Sequence, residues 1–550
     1  MTLDTGNLPS IDAQWHAAVG RLTGGLSPTA LATAYVDWAL HLAGSPDKQT
    51  ELLGLALTPA PGKDTADDPR FADPGWSTFP FNVFAHNFLA AQSWWNQATT
   101  NLPGVDPKHG DIVNFTARQF LDMLSPANYA ATNPLVWNRT QEEKGQNLIR
   151  GARYWMDDFN RLITKRPRES EGYKVGQQLA TTPGDVVLRN DLIELIHYRP
   201  TTKKLQPEPI LIVPAWIMKY YILDLTAQRS LVANLRDQGF EVFIISWKNP
   251  EQSDAGLSMQ NYVDLGVRAA IAHIKSAGAD QLHGVGYCLG GTLMAIVAAA
   301  FARDGDDTLR SLSLLASQVD FSEPGELGLF INESQVAFLE DVMATRGYLK
   351  ADQMAGAFRL LRSNDLVWSR VIRHYLLGEH TPDNPLLAWN ADATRMPAKM
   401  HSEYLRRLFL NNDLAKGRFE VDGTAVALTD IRVPIYCLAT ETDHVSPWTS
   451  VYRLSLLTDT DVTFVLTNGG HNGGVLSEPG HPGRRFRCGH KAEGNAHITA
   501  KEWFEINAPK DGSWWPHWTN WLKQNSGGPS DRHLKNTPAL DAAPGRYVFG

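Results

Sequence analysis

At 550 residues, 43% of them hydrophobic and 20% charged, the chain has an ordinary globular composition and the length for two or more domains. Its 51 basic and 59 acidic side chains give a net charge of −8 with no basic block or stripe, which argues against a nucleic-acid partner. No apolar run reaches the ~18 residues of a membrane-spanning helix, so no transmembrane segment is expected.

The opening residues, Met1 to Gly6, carry neither a basic nor an apolar export signal. Up to about residue 65 the chain is polar, with a helical stretch at Pro28–Leu42 but no motif, and the Pro/Asp-rich run Thr58–Asp64 separates it from the rest of the chain. Phe79 to Phe159 reads as helical, punctuated by Ser125-Pro126 and Asn133-Pro134. Residues 1–183 are therefore expected to form a mostly helical N-terminal domain, its first ~65 residues poorly defined. Strand signals begin near Gly184. Asp185–Leu188 and Leu192–Tyr198 look like a hairpin, and further apolar runs stand at Ile210–Val213, Phe240–Ser246, Leu282–Gly286 and Ser311–Ala316. Helical segments such as Gln228–Gln238 and Tyr262–Ser276 separate them. The rhythm stops between about 317 and 431, where the chain is helical and aromatic, and resumes at Ile435–Ala439 and Val462–Leu466. Apolar strands alternating with helices predict an α/β domain over 184–550, with a mostly parallel sheet covered on both faces. Seventeen tryptophans, several near the C-terminal end, read first as core packing and second as an apolar surface toward a lipid-like partner.

Gly286-Tyr287-Cys288-Leu289-Gly290 lies between a strand and a helix rich in small residues. This is the G-x-nucleophile-x-G elbow of an α/β-hydrolase, with cysteine in place of serine. It makes Cys288 the candidate nucleophile, at the positive end of a helix. The helical insertion 317–431 then occupies the place of a lid. The same glycines also fit a loose dinucleotide pattern, G-x-G-x-x-x-G, but no acidic residue clearly ends the next strand.

A thiol elbow needs a base and a group to orient it, in the chain order nucleophile, acid, histidine. Asp443 follows the strand 435–439, and His471 sits on the glycine-rich turn after 462–466, so Cys288–Asp443–His471 is the predicted triad. His444 competes as base but adjoins the acid, and is read as an accessory near the site together with Trp216. Glu441 is the alternative acid. The backbone N–H of Leu289 should form one half of an oxyanion hole, and that of Ile217, or of Trp216, the other. Cys437, inside an apolar strand, is expected to be buried and inert. Cys488 with His481 and His490 is weak as a metal site, so no metal is assigned. Three cysteines are too few and too scattered for a disulfide framework, and a reducing cytoplasmic setting suits a thiol nucleophile.

With these residues in place the chain resembles the polyhydroxyalkanoate synthases from about Asp68 onward. Matching stretches are Asp68–Phe71, Ser125–Tyr129, Thr132–Pro134, Pro214–Leu225, Ser246–Pro250 and Gly286–Thr292. They continue with Asn364–Trp368, Trp389-Asn390 with Thr394–Pro397, Asp443-His444 with Pro447-Trp448, and Gly512–Trp521. Length and the Trp216-Ile217 wording look more like the single-subunit, short-chain type (class I). The resemblance implies an acyltransferase that polymerises (R)-3-hydroxyacyl-coenzyme A, with 3-hydroxybutyryl-coenzyme A the expected substrate, with Cys288, Asp443 and His471 in the roles assigned above and no cofactor. It implies as partners the coenzyme A substrate and the growing polyester chain, a homodimer, contact with granule-coat proteins, and residence on polyester granules in the cytoplasm. The loop Asn472–Leu476 and the segment His481–Gly489 depart from the family pattern, which bears on substrate range rather than chemistry. A thiol hydrolase on the same scaffold, such as a polyester depolymerase or thioesterase, is the alternative reading.

Overall fold

The computed structural model describes residues 10–57, 67–164, 170, 172–351, 353, 367–380, 382–531 and 533–550, apart from the side chain of residue 162. The chain start Met1–Gly6, the break Thr58–Asp64, and Asn364, Asp365 and Leu366 of one family-like stretch lie outside them. The chain divides into two compact units.

One unit comprises residues 19–169 and 353–382 and is helical. Its longer helices are α1 (Pro28–Ala43), α2 (Phe81–Thr99), α3 (Pro107–Met123) and α4 (Gln146–Thr164). Their starts are written in the sequence. Ser27 caps α1 and Asp106 caps α3, each accepting a first-turn backbone N–H, and each is followed by a proline that has no N–H to satisfy. A small core gathers Phe71, Trp76, Ala85, Phe88 and Ala127, with the Phe71 and Trp76 rings edge to face at 4.8 Å. The Asp68–Phe71 stretch is the clasp of this core. Arg70 reaches Asp68 at 2.6 Å and Asp122 at 2.8 Å, with its guanidinium 4.9 Å from the centre of the Phe88 ring. Asn133 caps the helix Pro134–Glu142 with its oxygen and donates its amide to the Ala127 carbonyl at 2.7 Å. Several family-like stretches at this end of the chain are thus devices of folding.

The other unit, residues 1–18, 170–352 and 383–550, is built on one sheet. Its strands are β1 (Asp185–Arg189), β2 (Ile193–Tyr198), β3 (Ile210–Val213), β4 (Val242–Trp247), β5 (Leu282–Tyr287) and β6 (Leu309–Leu315). They continue as β7 (Ile435–Thr440), β8 (Val462–Thr467), β9 (Arg485–Lys491), β10 (Lys510–Asp511) and β11 (Asp541–Ala542). The spatial order is β10-β9-β8-β7-β6-β5-β3-β4-β2-β1-β11. The six strands from β8 to β4 run parallel, and antiparallel strands flank them on both sides. Each parallel strand except β6 is buried along its whole length, as a sheet covered on both faces requires. Strand β9 is an addition to the sequence expectation, because RFRCGHK shows only Phe486 facing inward among polar residues. Between β6 and β7 the described chain is largely helical, including Glu333–Ala344 and Ala398–Glu403.

Candidate active site

Strand β5 ends at Tyr287, helix α5 (Leu289–Asp304) begins at Leu289, and Cys288 between them has φ +54° and ψ −124°. A non-glycine residue rarely holds a positive φ, and here the strain turns the side chain out of both elements. The flanking glycines are steric necessities. A Cβ on Gly286 would lie 2.2 Å from the Gly291 Cα, and one on Gly290 would lie 1.9 Å from the Val213 carbonyl oxygen. The elbow is therefore pressed both onto its own helix and against the end of β3. Cys288 is 6% exposed.

Asp443 and His471 come from the loops after β7 and β8, neighbouring parallel strands whose ends lie side by side. His471 Nδ1 is 2.7 Å from Asp443 Oδ2. An ionised carboxylate can only accept, so Nδ1 keeps its proton and donates it in this hydrogen bond, which leaves the Nε2 lone pair free to act as a base. The imidazole also lies close enough to Cys288 to feel the charge of its thiolate. Asp443 has no exposed side-chain surface, yet its oxygens are well supplied. Oδ1 accepts the backbone N–H groups of Val445 and Ser446 at 2.9 and 2.8 Å, and Oδ2 accepts the Thr440 hydroxyl at 3.0 Å. Burial alone would raise this carboxyl. The His471 charge and those hydrogen bonds outweigh it and hold the group below the usual carboxylate range. Burial likewise pulls His471 down, but Asp443 and then Cys288 outweigh it and hold the imidazole well above its ordinary value.

Two phenols complete the surroundings. Tyr287 lies with its ring 5.7 Å from that of His471 and donates its hydroxyl to Asn472 Oδ1 at 2.5 Å. Tyr404, from the helical stretch between β6 and β7, has its phenol pushed up by burial and then by the nearness of Cys288, so it keeps its proton. The Tyr404 ring meets Trp216 at 6.4 Å and Phe321 at 6.5 Å. Trp216, 2% exposed, also packs on Tyr262 and Trp247. The carbonyls of Trp216 and Ile217 both accept hydrogen bonds from Thr394, at 2.5 and 3.2 Å, which fixes the loop after β3. Leu289 opens α5, where a helix has no internal acceptor for its N–H.

The remaining residues singled out by sequence do not join the hydrogen bonds of Asp443 and His471. His444 is exposed. Glu441 pairs with Arg485 at 3.0 Å rather than with a histidine. Cys437 is buried in β7, and burial pushes its thiol far up. Cys488 is 3.4 Å from His517 Nε2, whereas His481 pairs with Glu478 and His490 with Asp461, so those three do not converge. Among the described residues no group of three or more His, Cys, Asp or Glu could hold a metal ion. Sequence reasoning missed Tyr404, which lies in a stretch without motif or period, and the Tyr287–Asn472 bond, which joins residues 185 apart.

Comparison with known proteins bears on the family and the fold. Residues 67–235 match the description "Poly-beta-hydroxybutyrate polymerase (PhaC) N-terminus", residues 7–48 a second N-terminal family of such polymerases, and residues 208–475 the "alpha/beta hydrolase fold". The chain is 39% identical over 490 residues to the poly(3-hydroxyalkanoate) polymerase of Methylorubrum extorquens, covering 88% of this chain and 80% of that one. It is 36% identical over 504 residues to the poly(3-hydroxyalkanoate) polymerase subunit PhaC of Rhizobium etli, covering 90% and 78%. To the corresponding protein of Cupriavidus necator it is 35% identical over 511 residues, covering 89% and 85%.

Proposed function

The chain belongs to the poly(3-hydroxyalkanoate) polymerase family, and from that premise we propose how its residues carry out the reaction. It polymerises hydroxyacyl thioesters into polyhydroxyalkanoate on an α/β-hydrolase fold. The substrate is a short-chain (R)-3-hydroxyacyl-coenzyme A such as the 3-hydroxybutyryl thioester. His471 Nε2 takes the thiol proton of Cys288, the sulfur attacks the thioester carbonyl, and the coenzyme A thiol leaves with the proton. One thioester replaces another at nearly no net change in free energy, so the acyl group stays activated. The 3-hydroxyl of another unit then attacks acyl-Cys288, with His471 removing its proton and Asp443 holding the imidazole tautomer. The N–H groups of Leu289 and Ile217 stabilise the oxyanion of each tetrahedral intermediate.

Water competes with the hydroxyl for the acyl group, so exclusion of water is part of the mechanism. Residues 317–431 act as the lid, and within it Tyr404 packs against Phe321 and against Trp216 of the loop after β3 as an apolar cluster. His444 serves near the mouth of the site. The enzyme works as a homodimer in the cytoplasm, at the surface of the polyester granule and alongside granule-coat proteins. No helix among the described residues is long and apolar enough to cross a membrane, which fits attachment through the product.

The observation that carries this reading is the 2.7 Å pairing of His471 with a buried Asp443, on an imidazole whose ring lies 5.7 Å from that of Tyr287, the residue before the elbow thiol. Incubation with 3-hydroxybutyryl-coenzyme A should release coenzyme A and deposit insoluble polymer. Release of free 3-hydroxybutyrate without polymer would instead favour a thiol hydrolase.

A further inference from the structure

His471 opens a very short helix, α6 (His471–Val475), too short to satisfy its own last carbonyls. Four consecutive carbonyls at its end are met by side chains from farther along the chain. Arg484 Nη2 donates to Gly473 at 2.5 Å and to Leu476 at 3.1 Å. Between them, the indole N–H groups of Trp514 and Trp515 donate to Gly474 and Val475 at 3.1 and 3.0 Å. Arg484 Nη1 also reaches back to the Asn468 carbonyl at 3.3 Å, on the other side of the histidine. The turn is shaped to admit this guanidinium. Gly469 has φ +102°, and a Cβ there would lie 2.9 Å from Nη1.

We propose that Arg484 is a positioning residue for the general base: one planar guanidinium ties the chain before His471 to the helix end after it and so fixes where the imidazole stands. The inference rests on the reading of His471 as base. The two tryptophans hold the middle of the same helix end, but they are 0% and 1% exposed and also build the core. Arg484 is half-buried in the loop, and the hydrogen bonds of its Nη1 and Nη2 go to this turn, while its Nε is buried without a partner among the described residues. A fixed fork can bridge carbonyls on both sides of a turn, whereas an ammonium is a single point on a flexible stem. The imidazole must serve first the thiol and then the incoming hydroxyl, and a general base displaced by even an ångström loses much of its rate.

The test uses the full chain with Arg484→Gln, Arg484→Lys and His471→Ala. The measurements are kcat and KM on 3-hydroxybutyryl-coenzyme A, the rate at which iodoacetamide alkylates Cys288, and the thermal midpoint. Arg484→Gln should lower kcat and the alkylation rate on the order of 10–100-fold, as loss of orientation does, with KM held within about twofold. Its thermal midpoint should stay close to that of the parent, and Arg484→Lys should recover only part of kcat. Parental kcat and alkylation in Arg484→Gln would overturn the inference, as would a fall in kcat matched by the same fall in folded protein. If Arg484→Gln does not fold, Arg484→Lys decides alone, since reduced kcat at a native midpoint supports the role and parental kcat refutes it. Turnover retained by His471→Ala would sink the base assignment itself. An inert His471→Ala beside a fully active Arg484→Gln would sink only the positioning role.

Discussion

Cys288 and Cys437 lie two strands apart in one sheet, 6% and 1% exposed, so burial alone does not tell the proposed nucleophile from the thiol read as inert. Cys437 sits within β7, where the backbone is spent on the ladder and the nearest polar group is the Val451 carbonyl, 3.9 Å from its sulfur. Burial is the sole influence on that thiol and pushes it far up. Cys288 stands one residue past the end of β5, at a positive φ, beside Tyr287, whose ring lies 5.7 Å from the imidazole of His471, 183 positions later than the thiol. Two thiols of equal intrinsic chemistry are separated by the end of a strand and by what the neighbouring strand ends bring to it. Active groups on parallel sheets gather at the strand ends for this reason.

The largest expected effect sharpens that contrast. Cys288→Ala should abolish release of coenzyme A from 3-hydroxybutyryl-coenzyme A, followed through the new thiol; turnover near the parental rate would remove the nucleophile assignment. Asp443→Asn comes next, with an expected fall in kcat on the order of 10³–10⁴-fold, as when a triad loses its tautomer-fixing carboxylate. Its pH dependence has a definite sign. Burial pushes the His471 imidazole down, and Asp443 is the strongest of the influences holding it up. His471 must be unprotonated to take the thiol proton, so activity falls as pH drops through its pKa. Without the carboxylate that pKa falls, and the acid limb of the residual kcat/KM profile should move to lower pH. An acid limb that stays put or moves up would mean that Asp443 does not govern the imidazole.

Gly290→Ala probes the elbow itself. The new Cβ would fall 1.9 Å from the Val213 carbonyl oxygen, a backbone atom with nowhere to retreat. Separating the elbow from β3 displaces the Leu289 N–H from the oxyanion, so kcat should drop on the order of 10²-fold. Overpacking should also lower stability by ~1–3 kcal/mol in a denaturant titration. Parental activity in this variant would show that the close approach is dispensable.

The parallel part of the sheet is legible because most of its strands are apolar runs ended by a turn signal, and each proposed catalytic residue stands just past a strand end. Cys288, Asp443 and His471 can be named from order and spacing alone. Strand β9 is not legible, since RFRCGHK carries charge where an inner strand carries valine or leucine. Nor is Tyr404, which packs on Trp216 from a stretch whose aromatic residues follow no period. The tryptophans of Gly512–Trp521 read as packing, and Trp514, Trp515 and Trp518 are indeed buried. Their indole N–H bonds to the His471 helix span 40 positions and follow from no local pattern. Pairings that depend on tertiary placement leave no mark on the segments that make them.

Cys437→Ala should have the smallest effect and is the sharpest control on the comparison. The substitution removes one sulfur from a fully buried strand and leaves a small cavity, so stability should fall by ~1 kcal/mol. The strand keeps its pairing with both neighbours, because the ladder uses only backbone groups. Asp443 lies six residues farther on, past the strand end, and its four oxygen contacts come from Thr440 at the last position of β7, from the loop and from His471, none of them from the strand interior around Cys437. Turnover and the rate of Cys288 alkylation should therefore match the parent. A loss of turnover at parental stability would mean that the interior of β7 sets the position of the acid, and strand ends alone would no longer explain why one buried thiol reacts and the other does not.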